Sequence, residues 1–219
     1  MTEAPFLRTT RESYDALTVA HLDVVASDLA NLPVDRAMLA LFAEWVRATG
    51  NSTVADIGCG PGRLTNALHE LDLKAFGVDL SPEMIALARQ AYPGLRFEVG
   101  SMLALDIPDG SLGGLLANYS IIHVPWEYRP QVFAEFHRTL APGGQLMLAF
   151  QIGDDLKHYD GVDDLTISLD FYRQQPEEVA DLLDKAGFDV RVQAVRAAEG
   201  ERERTSQGYL LARRRLDAG

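Results

Sequence analysis

The stretch VADIGCGPGRL, residues 54–64, decides how this chain is read. A short apolar run ends at Asp56, glycines follow at positions 58, 60 and 62, and a helix-forming run begins after them. Apolar and β-branched residues running into glycine mark the end of a strand. Glycines allow positive φ angles and close backbone approach, which a loop that cradles a small molecule requires. The loop therefore poses one question: which small molecule it holds.

Outward from the loop, strand and helix signals alternate. TVADI reads as a strand, residues 63–70 as a helix and KAFGVD as the next strand, ending at Asp79. SPEMIALARQAYP reads as a helix with Ser81 as N-cap, Pro82 at its first position and Pro93 beyond its end. LRFEVG and GGLLANYS are two more strands, a helix over residues 127–140 follows, and APGG turns the chain into the strand QLMLAFQ. Such alternation predicts a parallel sheet with helices on both faces.

Both flanks differ from this rhythm. Upstream, Tyr14, Leu17, His21 and Val24 recur at helical spacing and predict a helix over residues 10–31. A second helix begins at Pro33 and ends near Gly50. Residues 1–50 thus read as an N-terminal helical cap and residues 51–219 as the main domain. Downstream, residues 151–176 read as a long, irregular, acidic connection, a partly ordered cover over the active site to which ISLDFYR adds a short strand. A helix from Pro176 to Gly187 follows, and FDVRVQAV and QGYLLARR suggest an antiparallel hairpin at the sheet edge.

Composition narrows the function. The chain has 219 residues, 47% of them hydrophobic, enough for one sizeable core. Its formal net charge of −12 disfavours nucleic acids and anionic membrane surfaces, which need clustered Lys and Arg. One cysteine, Cys59, allows no internal disulfide and suits a reducing, cytoplasmic location. The first residues do not read as a signal peptide, and no apolar run is long enough to span a membrane. A small-molecule substrate and a monomer or homodimer are expected.

Three cofactors could use the glycine loop. A P-loop is excluded because no Lys follows the glycines. The third glycine comes one residue too early for a dinucleotide fingerprint, with Pro61 between, which weakens but does not remove that option. S-adenosylmethionine, with a ribose and no phosphate, is the third. An acid at the end of the second strand, Asp79, can accept hydrogen bonds from ribose hydroxyls.

Here the sequence resembles the class I S-adenosylmethionine-dependent methyltransferases, most closely those acting on small molecules. VADIGCGPGRL, GVDLSPEMIALAR, LDIPDGSLGGLLANYSIIHVP and HRTLAPGGQLMLAF look like four of their motifs in order, over residues 52–150. The resemblance implies a Rossmann-like, seven-stranded, mostly parallel sheet and methyl transfer from S-adenosyl-L-methionine, with S-adenosyl-L-homocysteine as product. It places Gly58 and Gly60 beside the methionine part, counts Gly62 among the cofactor-binding residues and has Asp56 orient the loop. It gives Asp79 the ribose, packs Leu80 and Met84 on the adenine and sets Met102 against the ring. Ser101 stands where many relatives carry an acid for the adenine amino group, and Asn118 ends the fourth strand near the methionine moiety.

Candidates for the chemistry lie near the acceptor. His123, past the fourth strand, could serve as a general base, which helps an oxygen acceptor. Tyr119 faces the same mouth. Tyr14 could touch cofactor or substrate, and His21, His158 and Tyr172 are candidate substrate contacts. No metal site is apparent. Oxygen is favoured over nitrogen or carbon as acceptor. The rival readings are a non-catalytic cofactor-binding partner protein and an NAD(P)-dependent oxidoreductase.

Overall fold

A computed structural model describes residues 4–20, 32–162, 165–199 and 203–216. The chain opens with helix α1 (Pro5–Ala20) and helix α2 (Pro33–Ala48). The alternating section runs β1 (Thr53–Ile57), α3 (Arg63–Glu70), β2 (Lys74–Asp79), α4 (Pro82–Ala91), β3 (Arg96–Val99) and β4 (Leu112–Asn118). Two 3₁₀ turns lead into α5 (Arg129–Thr139) and β5 (Leu140–Gln151). Then come β6 (Leu156–Val162), β7 (Leu165–Tyr172), α6 (Pro176–Lys185), β8 (Phe188–Arg196) and β9 (Gln207–Arg214).

Seven strands form one sheet in the order β3-β2-β1-β4-β5-β9-β8. β1 to β5 pair in parallel, and β9 runs antiparallel to both β5 and β8. The expected edge hairpin is present, with the last strand inserted between β5 and β8. β1 lies between β2 and β4, so successive crossovers leave in opposite directions there and open a crevice at the carboxyl ends of the strands.

Strand alternation builds a core on each face. Along β5, Leu146, Leu148 and Phe150 pack with Phe133 and Phe136 of α5 and Leu183 of α6. Met147 and Ala149, pointing the other way, pack with Phe42 and Val46 of α2. β4 is buried along nearly its whole length, as a central parallel strand must be. Gly114 lets α2 lie against the sheet: a Cβ there would meet Val46 Cγ2 at 2.5 Å.

Three expectations need correction. The first helix begins at Pro5, not residue 10; the part expected over residues 21–31, including His21, lies outside the described residues. APGG does not stand before its strand as a separate turn but lies within β5, where the pairing with β4 shifts register. Residues 151–176 are not irregular: β6 and β7 form a second, two-stranded antiparallel sheet. The two helices of the segment expected as a cap have different partners. α2 belongs to the helical layer on the sheet, and α1 packs on β7.

Candidate active site

The glycine loop is tied to the end of β2. Gly58 N and Cys59 N donate to the carbonyl of Val78 at 2.7 and 3.2 Å. Gly58 has φ +77°, and a Cβ there would lie 2.3 Å from Ser120 Cβ, so only glycine fits. Gly62, at φ +84°, is the N-cap of α3 and packs under Phe97. Gly60, at φ +52°, has open space where a Cβ would project.

Gly60 N donates to Asp79 Oδ2 at 2.8 Å, and Ser81 N donates to Asp79 Oδ1 at 2.9 Å. The Asp79 carboxylate is therefore fixed at both oxygens. Burial pushes its pKa up, and the two amide donors hold it down. Asp56 sits behind the loop and accepts from Thr65 Oγ1 at 2.7 Å. Burial raises its pKa to about 7, against the pull of the Thr65 hydrogen bond.

A cavity of about 1130 Å³ lies over this loop. That exceeds the roughly 300–1,000 Å³ typical of a single small-molecule pocket, so two molecules can meet in it. Gly58, Gly60, Asp79, Leu80, Met84, Ser101, Met102 and Asn118 line it together. Asp56 and Gly62 do not; they shape the loop from beneath. The Ser101 hydroxyl accepts from Leu103 N at 3.3 Å.

Across the cavity, His123 is held at both ring nitrogens. Nδ1 lies 2.8 Å from the Asp170 carbonyl, and Nε2 lies 2.7 Å from Tyr14 Oη. A carbonyl can only accept, so Nδ1 carries the proton; Nε2 then accepts from the Tyr14 hydroxyl. Burial lowers the His123 pKa to about 4, so the ring is neutral at pH 7. Burial raises the Tyr14 pKa, which keeps that hydroxyl protonated. Tyr119 adopts φ +51°, rare for a residue with a side chain, and also lines the cavity. Its hydroxyl is hydrogen-bonded to the buried Tyr209, whose oxygen accepts from Arg196 Nε at 3.1 Å.

Residues 54–144, the stretch that builds the loop, β2 and β4, match the methyltransferase domain family. Over that stretch the chain is similar to this family. The demethylmenaquinone methyltransferase of Chlorobaculum parvum is 35% identical over 92 residues, 42% of this chain and 37% of that one. The chain spans 37–52% of the length of the curated relatives it first matches. Among solved structures, magnesium protoporphyrin IX methyltransferase (ChlM) from Synechocystis PCC 6803 with bound SAM superimposes with a TM-score of 0.71. It is 16% identical and the match covers 98% of this chain and 99% of that one. The cyclase SpnF also gives 0.71, at 17% identity, over 97% and 98% of the two chains. The same fold thus occurs in proteins named for different activities, and the chemistry must be argued from the site.

The β6–β7 hairpin sorts the remaining candidates. His158 pairs with Asp170 and Tyr159 with Leu169 across β6 and β7. Strand alternation turns Lys157, Tyr159, Ile167, Leu169, Phe171 and Arg173 to the cavity wall. It turns His158 and Tyr172 away: the described wall holds neither. His158 instead bonds Asp170 Oδ1 and Asp160 Oδ1, both at 2.7 Å, on an exposed face. The signal was the alternation in TISLDFYR, which assigns opposite faces to Phe171 and Tyr172 once that stretch is a strand.

Sequence reasoning also missed what holds α1 in place. Ser13 Oγ accepts from Ser168 N at 2.9 Å and lies 3.1 Å from Ser168 O, to which it donates. The next residue, Tyr14, reaches His123. The next, Asp15, accepts from Ser81 Oγ, the N-cap of α4. Three consecutive residues of one helix therefore grip β7, the turn after β4 and the start of α4. Among the described residues, no three His, Cys, Asp or Glu side chains converge as a metal ion would need. No described helix is long and apolar enough to cross a membrane.

Proposed function

We propose that this protein transfers a methyl group from S-adenosylmethionine to a small-molecule acceptor. The observation that carries this reading is the Asp79 carboxylate, oriented by Gly60 N and Ser81 N on the wall of a cavity roomy enough for two molecules. The donor set fits the cofactor. Asp79 can accept from ribose hydroxyls, the open face of Gly60 admits a close neighbour, and no Lys stands in the loop for a phosphate. Leu80, Met84 and Met102 offer apolar surface for the adenine, and the Ser101 hydroxyl a hydrogen bond to its edge. When bound, the cofactor supplies an electrophilic methyl on a sulfonium.

The chain's own residues hold the acceptor and exclude water. α1 and the β6–β7 hairpin roof the cavity, and Phe171 packs edge-on against His123 at 4.6 Å between centroids. Neutral His123 presents Nε2 as an acceptor, shared with the Tyr14 hydroxyl. A base of such low proton affinity suits an acceptor oxygen that is acidic by itself, so oxygen is favoured over nitrogen or carbon. The acceptor is a compound of biosynthetic metabolism, and the reaction takes place in the cytoplasm without nucleic acid.

Calorimetric titration with S-adenosylmethionine, S-adenosylhomocysteine and NADH tests the reading. The first two bind and NADH does not; NADH binding alone would overturn it. Asp79→Ala lowers affinity for S-adenosylhomocysteine at least roughly tenfold, because the ribose loses a charged acceptor. Unchanged affinity would remove Asp79 from the site.

A further inference from the structure

Among the described residues, five cationic side chains line the cavity against two carboxylates, in a chain of net charge −12. Both carboxylates have partners of their own. Asp79 is fixed to the glycine loop. Glu203 is clamped by Arg196, Nη1 to Oε2 at 2.6 Å and Nη2 to Oε1 at 2.7 Å.

Two of the cations lie side by side at the base of the hairpin. Lys157 Nζ is 2.9 Å from Asp155 Oδ2, and Arg173 Nη1 is 3.1 Å from Asp155 Oδ1. Asp155 is not among the wall residues, so one carboxylate holds two cations from behind and leaves a positive excess facing the cavity. Arg204, before β9, adds a third cation from another segment of the wall. Above this pair the wall is apolar: Phe171 and Tyr159 pack edge to face at 5.2 Å, and Ile167 and Leu169 lie beneath α1.

We infer that the acceptor is an anionic compound with an apolar, ring-bearing body, whose anionic group is held by Lys157 and Arg173. This rests on the methyl-transfer reading of the same cavity. Strand alternation makes the two halves of the site inseparable. The register that turns Tyr159 and Phe171 inward also turns Lys157 and Arg173 inward. The local positive field would draw an anion to the mouth against the repulsion of the acidic surface.

The test uses the full chain with S-adenosylhomocysteine bound and a matched pair of fluorescent probes. One is the anion 1-anilinonaphthalene-8-sulfonate; the other is its uncharged parent, N-phenyl-1-naphthylamine. The anion binds roughly tenfold more tightly than the neutral probe to the wild type, the gain expected of a charge-assisted contact. In the Lys157→Gln/Arg173→Gln double variant the two probes bind alike. Equal binding to the wild type, or a preference that survives in the double variant, overturns the inference. Should that variant fail to fold, the wild type still answers: anion affinity must fall as salt rises to about 0.5 M while neutral-probe affinity does not. Absence of that difference is equally fatal. Calorimetry with S-adenosylhomocysteine on the same samples separates the two readings: its failure removes the cofactor and leaves the probes to judge the cations.

Discussion

Tyr14 Oη and His123 Nε2 stand 2.7 Å apart, joining helix α1 to the turn after β4 across the mouth of the cavity. With Nδ1 bound to the Asp170 carbonyl, the same ring also reaches β7. One imidazole thus ties together three elements far apart in sequence, and burial keeps it neutral while it does so. Tyr14→Phe removes the proton donated to Nε2. The buried nitrogen is then under-satisfied, which costs about 1–3 kcal/mol of stability. Thermal unfolding and the ¹⁵N shift of His123 Nε2 report it. An unmoved shift would show that the bond does not exist in solution.

Two buried groups give opposite pH dependences. His123 titrates at about 4 in the fold, below its ordinary 6.5. Its contribution is complete above pH 6.5 and is lost as the pH falls toward 4. Asp56 titrates at about 7 in the fold, above its ordinary 3.8. Its contribution is complete below pH 3.8 and is lost as the pH rises through 7. Each is worth on the order of 3 kcal/mol at most. Urea unfolding at about pH 4.5 and about pH 7 separates them. Relative to wild type, His123→Gln loses less at the lower pH and Asp56→Asn loses less at the higher. A constant offset in both variants would mean that neither pKa is shifted.

Two glycines of the loop, Gly58 and Gly60, respond differently to the same substitution. Gly58→Ala drives a Cβ into Ser120 and unfolds or severely destabilises the loop. Gly60→Ala meets nothing within 4 Å, so it costs only about 1–2 kcal/mol of left-handed backbone strain. Its methyl group projects into open space above the loop, so the folded variant loses affinity for S-adenosylhomocysteine. A stable Gly60→Ala protein with wild-type affinity would move the cofactor away from this glycine.

Ser13 tests the grip of α1 on the hairpin. Ser13→Ala removes both bonds to Ser168 and leaves its amide without that acceptor, a loss of about 0.5–1.5 kcal/mol for each bond. Hydrogen exchange at the Ser168 amide rises with it. If exchange there does not change, the roof is held by the apolar contacts of Leu17 with Ile167 and Leu169 alone.

The sequence by itself determined the alternating part of the sheet and the glycine-loop end of the cavity. From β1 to β4 each element carries its own local signal: apolar runs for strands, Ser81 and Pro82 for the start of α4, and glycines where φ is positive. Those signals act over a few residues, so Gly58, Gly60 and Asp79 were legible before their contacts were known. The hairpin end of the cavity was decided only by tertiary structure. Whether residues 156–172 are strands depends on pairing between β6 and β7 and on the roof of α1, which no short window contains. That pairing sets a register, and a period of two assigns every side chain to one face or the other. Phe171 and Arg173 therefore face the cavity while His158 and Tyr172, the more conspicuous candidates in the sequence, face away. The protonation of His123 was decided the same way, by burial and by two partners 109 and 47 residues distant along the chain.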